Sequence, residues 1–244
     1  MSGFDGPPTN PAVQAFLLGT TDFAATLALQ RRLVYEVSGD NASAVILCEH
    51  PAGITIGREG SRAHVRLTPE KLAARRWPVR WVARGGGVTL HVPGQVVCYP
   101  ILPLERLGLS PTTYLAKLCG IVAELAEGFG LAADVDADCP AVRVRGRRIA
   151  TFGVAVRNGV TSFGFVLNVA PDLELFHAIE CDGDTTPMTS LQRECPTRIR
   201  PTAVRQRLLE LLTDRFGFGR LSVFHTHPTF LPRVPSYATA ARPR

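Results

Sequence analysis

The sequence has almost no lysine. Lysine and arginine together account for 27 of its 244 residues, yet lysine occurs only at Lys71 and Lys117, which leaves 25 arginines. We attribute most of this bias to codon usage in a GC-rich genome. Its chemical consequence is that a reaction that needs a titratable amine has only two positions to draw on.

The sequence also lacks long apolar runs and closely spaced cysteines. No run reaches the ~18–20 residues of a membrane span, and the first eight residues lack the basic and then apolar pattern of a signal peptide. The 6 cysteines are never closer than 14 positions, so no spacing typical of a zinc site occurs. We therefore expect a cytoplasmic protein with no metal, no membrane contact and reduced thiols.

Three segments have the apolar periodicity of helices. The first spans 20–37, with threonine and aspartate at its start. The second follows Ser110-Pro111, an N-cap and an N1 proline, and ends at Gly130. The third begins at Pro201.

Three other segments predict β-structure. Residues 44–48 form a short apolar run, and residues 79–104 are rich in β-forming side chains. Residues 142–169 resemble a meander in which Asn158-Gly159 is a typical two-residue hairpin turn. Helices and hairpins segregated in this way indicate an α+β fold.

The composition indicates how the chain is organised. With 45% hydrophobic residues and a net charge of only +6, it is not a globally disordered chain. We expect one domain over residues 11–220, since no repeat or linker interrupts it. The proline-rich segments 1–10 and 221–244 are predicted to be loose tails.

The most distinctive segment is 84–95, which reads Arg-Gly-Gly-Gly-Val-Thr-Leu-His-Val-Pro-Gly-Gln. It lacks the Gly-Lys-Ser/Thr ending of a P-loop, and a strand-forming Val-Thr-Leu follows where a dinucleotide site needs a helix. Glycines alone would suit a hairpin turn equally well. Flanking Arg84 and His91 favour a site that binds a polar group beside an apolar chain.

The cysteines differ in their surroundings. Cys181 stands in a polar loop beside aspartate and glycine, which favours a reactive thiol over a structural one. Cys48, Cys98 and Cys119 lie in apolar strand or helix patterns and are expected in the core. Cys139 and Cys195, each before a proline, are weaker candidates for a nucleophile.

Together these segments resemble the lipoyl(octanoyl) transferase family over most of the chain, from Leu17 to Leu212. The Arg-Gly-Gly-x-Val-Thr-x-His-x-Pro-Gly-Gln motif at 84–95 carries most of the resemblance. Further matching segments are Glu49-His-Pro51, 54–58, Leu167-Asn-Val169 with Asp172-Leu173, Cys181-Asp-Gly183 and 188–191. The implied fold is that of the biotin/lipoate protein ligases, a mixed β-sheet flanked by helices.

The resemblance implies an acyltransferase that catalyses the first step of lipoate biosynthesis. Cys181 would take an octanoyl group from octanoyl-acyl carrier protein as a thioester and pass it to a lysine of a lipoyl domain. The implied acceptors are the lipoyl domains of 2-oxoacid dehydrogenases or the glycine cleavage H protein. No cofactor is implied.

The resemblance also implies which residues bind the acyl group. One wall would be residues of the 84–95 motif, and the other would come from two glycine-containing tripeptides further along the chain. These residues are Arg84, Gly85, Gly86, Gly87, Val88, Thr89, Leu90, His91, Thr151, Phe152, Gly153, Gly164, Phe165 and Val166.

The chain departs from the family pattern at two positions. Arg148 stands where the family has a lysine that lowers the pKa of the cysteine and moves protons, and Phe163 replaces a histidine. A guanidinium can stabilise a thiolate but cannot act as a base. An alternative function is therefore that of a catalytically impaired family member that acts as an acyl-binding or regulatory protein. An ATP-dependent lipoate ligase is less favoured, because such ligases rely on a lysine at the matching site.

Basic residues cluster between 143 and 200 and admit several interpretations. They could capture an acidic carrier protein, or form an ordinary solvated surface. Nucleic-acid binding is disfavoured, because aromatic residues make up only 7% of the chain and no nucleic-acid motif occurs. The residues concerned are Arg143, Arg145, Arg147, Arg148, Arg193, Arg198 and Arg200.

Overall fold

The computed structural model describes residues 11–39, 42–135, 140–181, 183 and 185–230. Its helices are α1 (Phe23–Gly39), α2 (Pro69–Arg75), α3 (Pro111–Gly128), α4 (Leu191–Glu194) and α5 (Pro201–Phe216). Its strands are β1 (Ala12–Thr20), β2 (Ala42–Glu49), β3 (Gly53–Ile56), β4 (Val79–Trp81), β5 (Val88–His91), β6 (Gln95–Ile101), β7 (Ala133–Val135), β8 (Ala141–Val144), β9 (Arg147–Arg157), β10 (Val160–Asn168) and β11 (Arg220–Phe224). Short 3₁₀ turns cover Arg62–His64, Leu173–Ala178 and Pro228–Phe230.

Eight strands form one mixed sheet in the order β11-β1-β2-β6-β10-β9-β8-β7. Strand β1 is parallel to both β11 and β2, and the remaining neighbours are antiparallel. Antiparallel neighbours need only short turns, and two such turns connect β8 to β9 and β9 to β10. The expected α+β fold with a mixed sheet flanked by helices is confirmed.

The large sheet is buried on both faces, because alternate side chains of its strands point in opposite directions. In β2, Val45 and Leu47 pack in the core shared with α3 and α5. Their neighbours Ala44 and Ile46 pack in the core shared with α1. One strand therefore contributes to two hydrophobic cores.

A second sheet of three strands, ordered β4-β3-β5, forms a third core. Ile54, Ile56, Val88 and Leu90 supply its buried side chains. The turn Leu173–Ala178 and the residues after it pack against the same core. The small sheet is the framework on which the candidate site is built.

The predicted helices form with one shift of boundary. Ser110 accepts from the backbone of Thr113, and Thr113 reciprocates, so the cap of α3 is a complete capping box. Helix α5 begins at Pro201 as predicted. Helix α1 begins at Phe23 rather than residue 20, because Thr20 still belongs to β1. Within the described part of the chain, no helix combines the length and apolarity needed to cross a membrane.

The predicted hairpin turn connects β9 to β10. Asn158 and Gly159 have φ angles of 51° and 74°, the left-handed values that a type I′ turn requires at both central positions. Strands β9 and β10 pair antiparallel from Arg157 and Val160 onward. The turn therefore aligns the two strands that carry residues 151–153 and 164–166.

The prediction of a loose tail from residue 221 is wrong as far as Phe230. Strand β11 pairs in parallel with residues 12–16 at the edge of the large sheet. His227 is buried and meets the Phe16 ring edge-on, with the ring centroids 5.0 Å apart. The short edge strand lacks a strong apolar pattern, and neighbouring prolines obscured it. Residues 1–10 and 231–244 lie outside the described residues.

The hydroxyl of Thr161 allows a test of how side-chain hydrogen bonds connect β10 to the end of β6. Its hydroxyl is fully buried, donates to the Pro100 carbonyl at 2.8 Å and accepts from the Leu102 amide at 2.9 Å. Replacement Thr161→Val leaves both backbone groups without this partner, so we expect urea unfolding to show a loss of ~1–3 kcal/mol. The control Thr202→Val, on the exposed start of α5, should change stability by less than ~0.5 kcal/mol. Equal effects would contradict the assignment.

Candidate active site

The glycine-rich loop before β5 is fixed by backbone hydrogen bonds on two sides. Gly57 donates to the Gly87 carbonyl at 2.9 Å, and Gly85 donates to the Val154 carbonyl at 2.8 Å. Gly86 has a φ of +74°, a conformation that a side chain would strain. The loop is therefore held between the small sheet and β9.

Arg84 is buried at the start of this loop, and its guanidinium is fully oriented. Nη2 donates to Thr55 Oγ1 at 3.0 Å and to Thr89 Oγ1 at 2.9 Å, and Nη1 donates to the Gly85 carbonyl at 2.9 Å. Gly153 has no room for a side chain, since a Cβ there would lie 2.7 Å from Arg84 Cδ. Glycine at 153 thus lets the arginine lie flat against β9.

A cavity of about 270 Å³, which we call the Arg84 cavity, opens between the small and large sheets. Its lining is Phe23, Arg84, Thr89, His91, Tyr99, Thr151, Phe152, Gly153, Phe163, Gly164, Phe165 and Val166.

Nine of the fourteen predicted binding residues line the Arg84 cavity, and five do not. Thr89 and His91 face the cavity, while Val88 and Leu90 face the core of the small sheet. This division follows from the two-residue alternation of a strand. Glycines 85–87 form the supporting loop instead of the lining.

Three aromatic residues complete the cavity and were absent from the predicted set. Tyr99 lies on β6 just after the motif, and Phe163 lies directly before the predicted binding residue Gly164, so both were close to predicted positions. Phe23 comes from the first turn of α1. Nothing local distinguishes it from an ordinary apolar helix residue.

Two buried histidines lie beside the cavity. His50 Nδ1 donates to the Thr21 carbonyl at 2.8 Å, so the neutral ring accepts from Tyr99 Oη at 3.0 Å through Nε2. Burial lowers the pKa of His50, and burial together with the charges of His50 and Arg84 lowers the pKa of His91 further. Both rings are therefore neutral at pH 7.

Of the two histidines, His91 is the one that lines the Arg84 cavity. Its Nε2 lies 3.3 Å from Thr55 Oγ1, and its Nδ1 has no hydrogen-bond partner among the described residues. A buried polar atom without a partner costs ~1–3 kcal/mol. A residue that lines the Arg84 cavity therefore carries one unsatisfied buried polar atom.

Cys181 lies at the free edge of β5 and does not line the Arg84 cavity. Its thiol donates to the Val88 carbonyl at 3.4 Å, and its side chain packs in the small-sheet core. Strand β5 is an edge strand, so this carbonyl is available to the cysteine. Cys181 is therefore hydrogen-bonded to the predicted binding motif at Val88, the residue before Thr89, but it does not line the cavity.

The other cysteines of the described chain have structural surroundings. Burial raises the pKa of the Cys48 and Cys98 thiols, which keeps them protonated. Cys119 is buried in α3, and Cys195 Sγ lies 3.7 Å from the Phe129 carbonyl. The expectation for Cys139 falls outside the described residues.

Arg148 connects the start of β9 to the segment that follows Cys181. Its amide donates to the Pro187 carbonyl at 2.9 Å, and its carbonyl accepts from Thr189 at 2.8 Å. It is only 1% exposed and is the largest of the fully buried side chains in the described part of the chain. Both lysines lie elsewhere: Lys71 is on α2, and Lys117 on α3 donates to the Arg215 carbonyl.

A buried hydrogen-bond chain holds this segment in place. Gln95 Nε2 donates to Asn168 Oδ1 at 3.0 Å, and Asn168 Nδ2 donates to the Thr189 carbonyl at 3.0 Å. Thr189 in turn donates to Glu194, whose buried carboxylate also accepts from Arg147. The Gln95 and Leu-Asn-Val motifs thus act at a distance, by positioning the residues around Cys181.

A separate pocket is lined by Cys181 itself, and we call it the Cys181 pocket. Arg66, Arg147 and Arg193 stand at its walls, with Pro187 and Met188 beside the cysteine. Arg66 is paired with Glu180 at 3.0 Å. Of the basic residues predicted to form a face, Arg147 and Arg193 reach this pocket.

Comparison with known proteins agrees with this geometry. Residues 22–213 match the family model of the lipoyl protein ligase A/B catalytic domain. An octanoyltransferase of Desulfotalea psychrophila is 37% identical over 205 residues, which cover 82% of this chain and 92% of the relative. An octanoyltransferase of Syntrophobacter fumaroxidans is 40% identical over 187 residues, which cover 74% of this chain and 81% of the relative.

Solved structures support the fold at lower identity. Lipoate-protein ligase A bound with ATP superimposes with a TM-score of 0.71 at 15% identity, covering 88% of each chain. Ta0514, a lipoate protein ligase from T. acidophilum with bound lipoic acid, gives 0.72 at 14% identity, covering 89% of this chain and 91% of that one. The chain belongs to the lipoyl protein ligase A/B catalytic domain family and, within it, to the octanoyltransferases.

Proposed function

We propose that the protein transfers an octanoyl group from octanoyl-acyl carrier protein to a lysine of lipoyl domains, the first step of lipoate biosynthesis. Relatives with this activity in their name cover most of the chain. The observation that carries the proposal is the Arg84 cavity, which has apolar aromatic walls and a polar side at Arg84 and His91. An acyl chain with one carbonyl group has the same division of character.

In the first step, Cys181 Sγ attacks the carbonyl carbon of the donor thioester. A new C–S bond forms to Cys181, the donor C–S bond breaks, and the carrier leaves as a thiol that takes up the proton of Cys181. Exchange between two thioesters is nearly balanced in energy. No cofactor is needed, because the donor is already activated.

In the second step, the lysine amine of the lipoyl domain attacks the Cys181 thioester. A C–N bond forms, the C–S bond breaks, and the proton lost by the amine restores the Cys181 thiol. Amide formation from a thioester runs downhill, so this step drives the overall transfer. The acceptors would be lipoyl domains of 2-oxoacid dehydrogenases or the glycine cleavage H protein.

Arg148 has an electrostatic role in this proposal. Its backbone pairs with residues 187 and 189, and Pro187 and Met188 line the same pocket as Cys181. A guanidinium held beside the cysteine would favour the thiolate. The guanidinium does not lose its proton, so it cannot accept one from the lysine amine. The second step should therefore be the slower one.

Arg84 and His91 would orient the acyl carbonyl. Arg84 and His91 both line the cavity, His91 Nδ1 has no hydrogen-bond partner among the described residues, and Cys181 reaches the same strand through Val88. Pre-oriented donors of this kind stabilise charge that develops on a carbonyl oxygen. The remaining residues of the cavity would bind the chain by apolar contact.

The Cys181 pocket would receive the donor and the acceptor. Its arginines suit an acidic carrier protein, since complementary charge increases the rate of encounter. Nucleic acid is not proposed as a partner. Of the three arginines, Arg193 is the exposed one for which the described residues show no acidic partner.

An acyl-binding protein with little transferase activity is the second candidate. The observation that favours it is Arg148, because this buried position offers no base for aminolysis. Such a protein would retain the Arg84 cavity and hold acyl groups without releasing them to lysine. The following experiments separate the two.

The first experiment concerns the acyl-enzyme. Wild-type protein incubated with octanoyl-acyl carrier protein should gain one octanoyl group, seen by intact mass and removed by hydroxylamine. Cys181→Ser should form no such thioester, whereas Cys195→Ser, which changes a cysteine outside the pocket, should behave like wild type. A wild type with neither adduct nor product would refute the transferase proposal.

The second experiment concerns Arg148. The Arg148→Lys variant should speed single-turnover transfer from acyl-enzyme to lipoyl domain by at least ~10-fold, as part of the ~10²–10⁴ that a general base contributes. Its rate should also rise with pH as the lysine loses its proton. Arg147→Lys, the matched change next to it, should show no gain. A slower Arg148→Lys enzyme would mean that the site is built around the guanidinium.

The third experiment concerns the carrier protein. Arg193→Glu should raise the KM for octanoyl-acyl carrier protein by ~3–10-fold and weaken its dependence on salt, with kcat little changed. Arg31→Glu, the same change on the exposed face of α1, is the control for net charge. Equal effects of the two variants would place carrier docking elsewhere.

A further inference from the structure

Phe163 separates the Arg84 cavity from a groove on the protein surface. The groove, which we call the Trp81 groove, lies between α1, β4 and the β9–β10 hairpin and has a volume of about 2,290 Å³. Among the described residues, Phe163 is the one shared by the lining of the groove and that of the cavity. Phe163 therefore stands between the cavity and the groove.

The backbone of Phe163 is held in a conformation that bulky residues rarely adopt. Its φ is +58°, in the left-handed region, where strain amounts to ~1–3 kcal/mol. Its amide donates to Oε1 of the buried Gln30 on α1 at 2.8 Å. This bond fixes the backbone orientation of Phe163, whose side chain lines the cavity.

The neighbours of Phe163 leave little freedom to relax this arrangement. At Gly164, an added Cβ would lie 2.2 Å from the Cys98 carbonyl, so β10 and β6 are already in close contact there. The Phe163 ring is 7% exposed and meets the Tyr99 ring edge-on, with centroids 6.3 Å apart. Close packing therefore restricts movement of Phe163.

We propose that Phe163 limits the length of acyl chain that the enzyme accepts. This inference rests on the proposed function, in which the Arg84 cavity holds the acyl chain. Most of the residues that line the cavity are buried, so extra methylenes would have to displace close-packed side chains. Removing the ring would join the cavity to the Trp81 groove and give a longer chain somewhere to go.

The test compares the wild type with Phe163→Leu and Phe163→Gly on octanoyl-, decanoyl- and dodecanoyl-carrier protein. The ratio of kcat/KM for dodecanoyl to that for octanoyl should rise ~10-fold or more in Phe163→Gly, with Phe163→Leu between it and wild type. Glycine tolerates a φ of +58°, so this variant keeps the backbone conformation. Trp81→Ala, which enlarges only the groove, should leave the ratio unchanged.

A binding measurement keeps the test decisive if a variant transfers poorly. Dodecanoic acid should raise the Tm of Phe163→Gly clearly more than that of wild type, while octanoic acid should stabilise both. If the wild type does not transfer octanoate, the proposed function fails. If it does transfer octanoate, and both the kcat/KM ratio and the dodecanoic acid shift are the same in all variants, the role of Phe163 is refuted.

Discussion

The whole site depends on the alternation of side chains along one short strand. In β5, Thr89 and His91 face the Arg84 cavity, while Val88 faces the small-sheet core and offers its carbonyl to Cys181. A strand has two faces and one free edge, so four residues serve a binding cavity, a core and a nucleophile at once. A shift of one residue in the pairing of β5 with β3 would exchange these roles.

The polar residues around this strand explain why the motifs are spread along the sequence. Arg84 is fixed by threonines on β3 and β5, and the chain from Gln95 through Asn168 to Thr189 fixes the segment beside Cys181. These groups are buried, so each missing partner would be costly. Much of the motif sequence therefore orients other residues rather than contacting a substrate.

The sequence predicted features whose cause is local. The Asn158-Gly159 turn, the Ser110 cap and the glycine-rich loop all follow from the conformational preferences of a few neighbouring residues. Features that depend on distant packing were missed. Phe23 enters the cavity only because α1 crosses the sheet there, and β11 becomes a strand only by pairing with β1. The position of Cys181 beside β5 could not be predicted either, because the segment before it is placed by the pairing of Ile179 with Val65.

The scarcity of lysine matters most at position 148, where a buried arginine cannot act as a base. The central claim is that one strand brings an acyl cavity and the Cys181 thiol together. A crystal structure of the protein trapped with an octanoyl group tests it most directly. The account predicts continuous density from Cys181 Sγ past Arg84 into the cavity, ending at Phe163. An octanoyl group attached elsewhere, or lying in the Trp81 groove with the cavity empty, would contradict it.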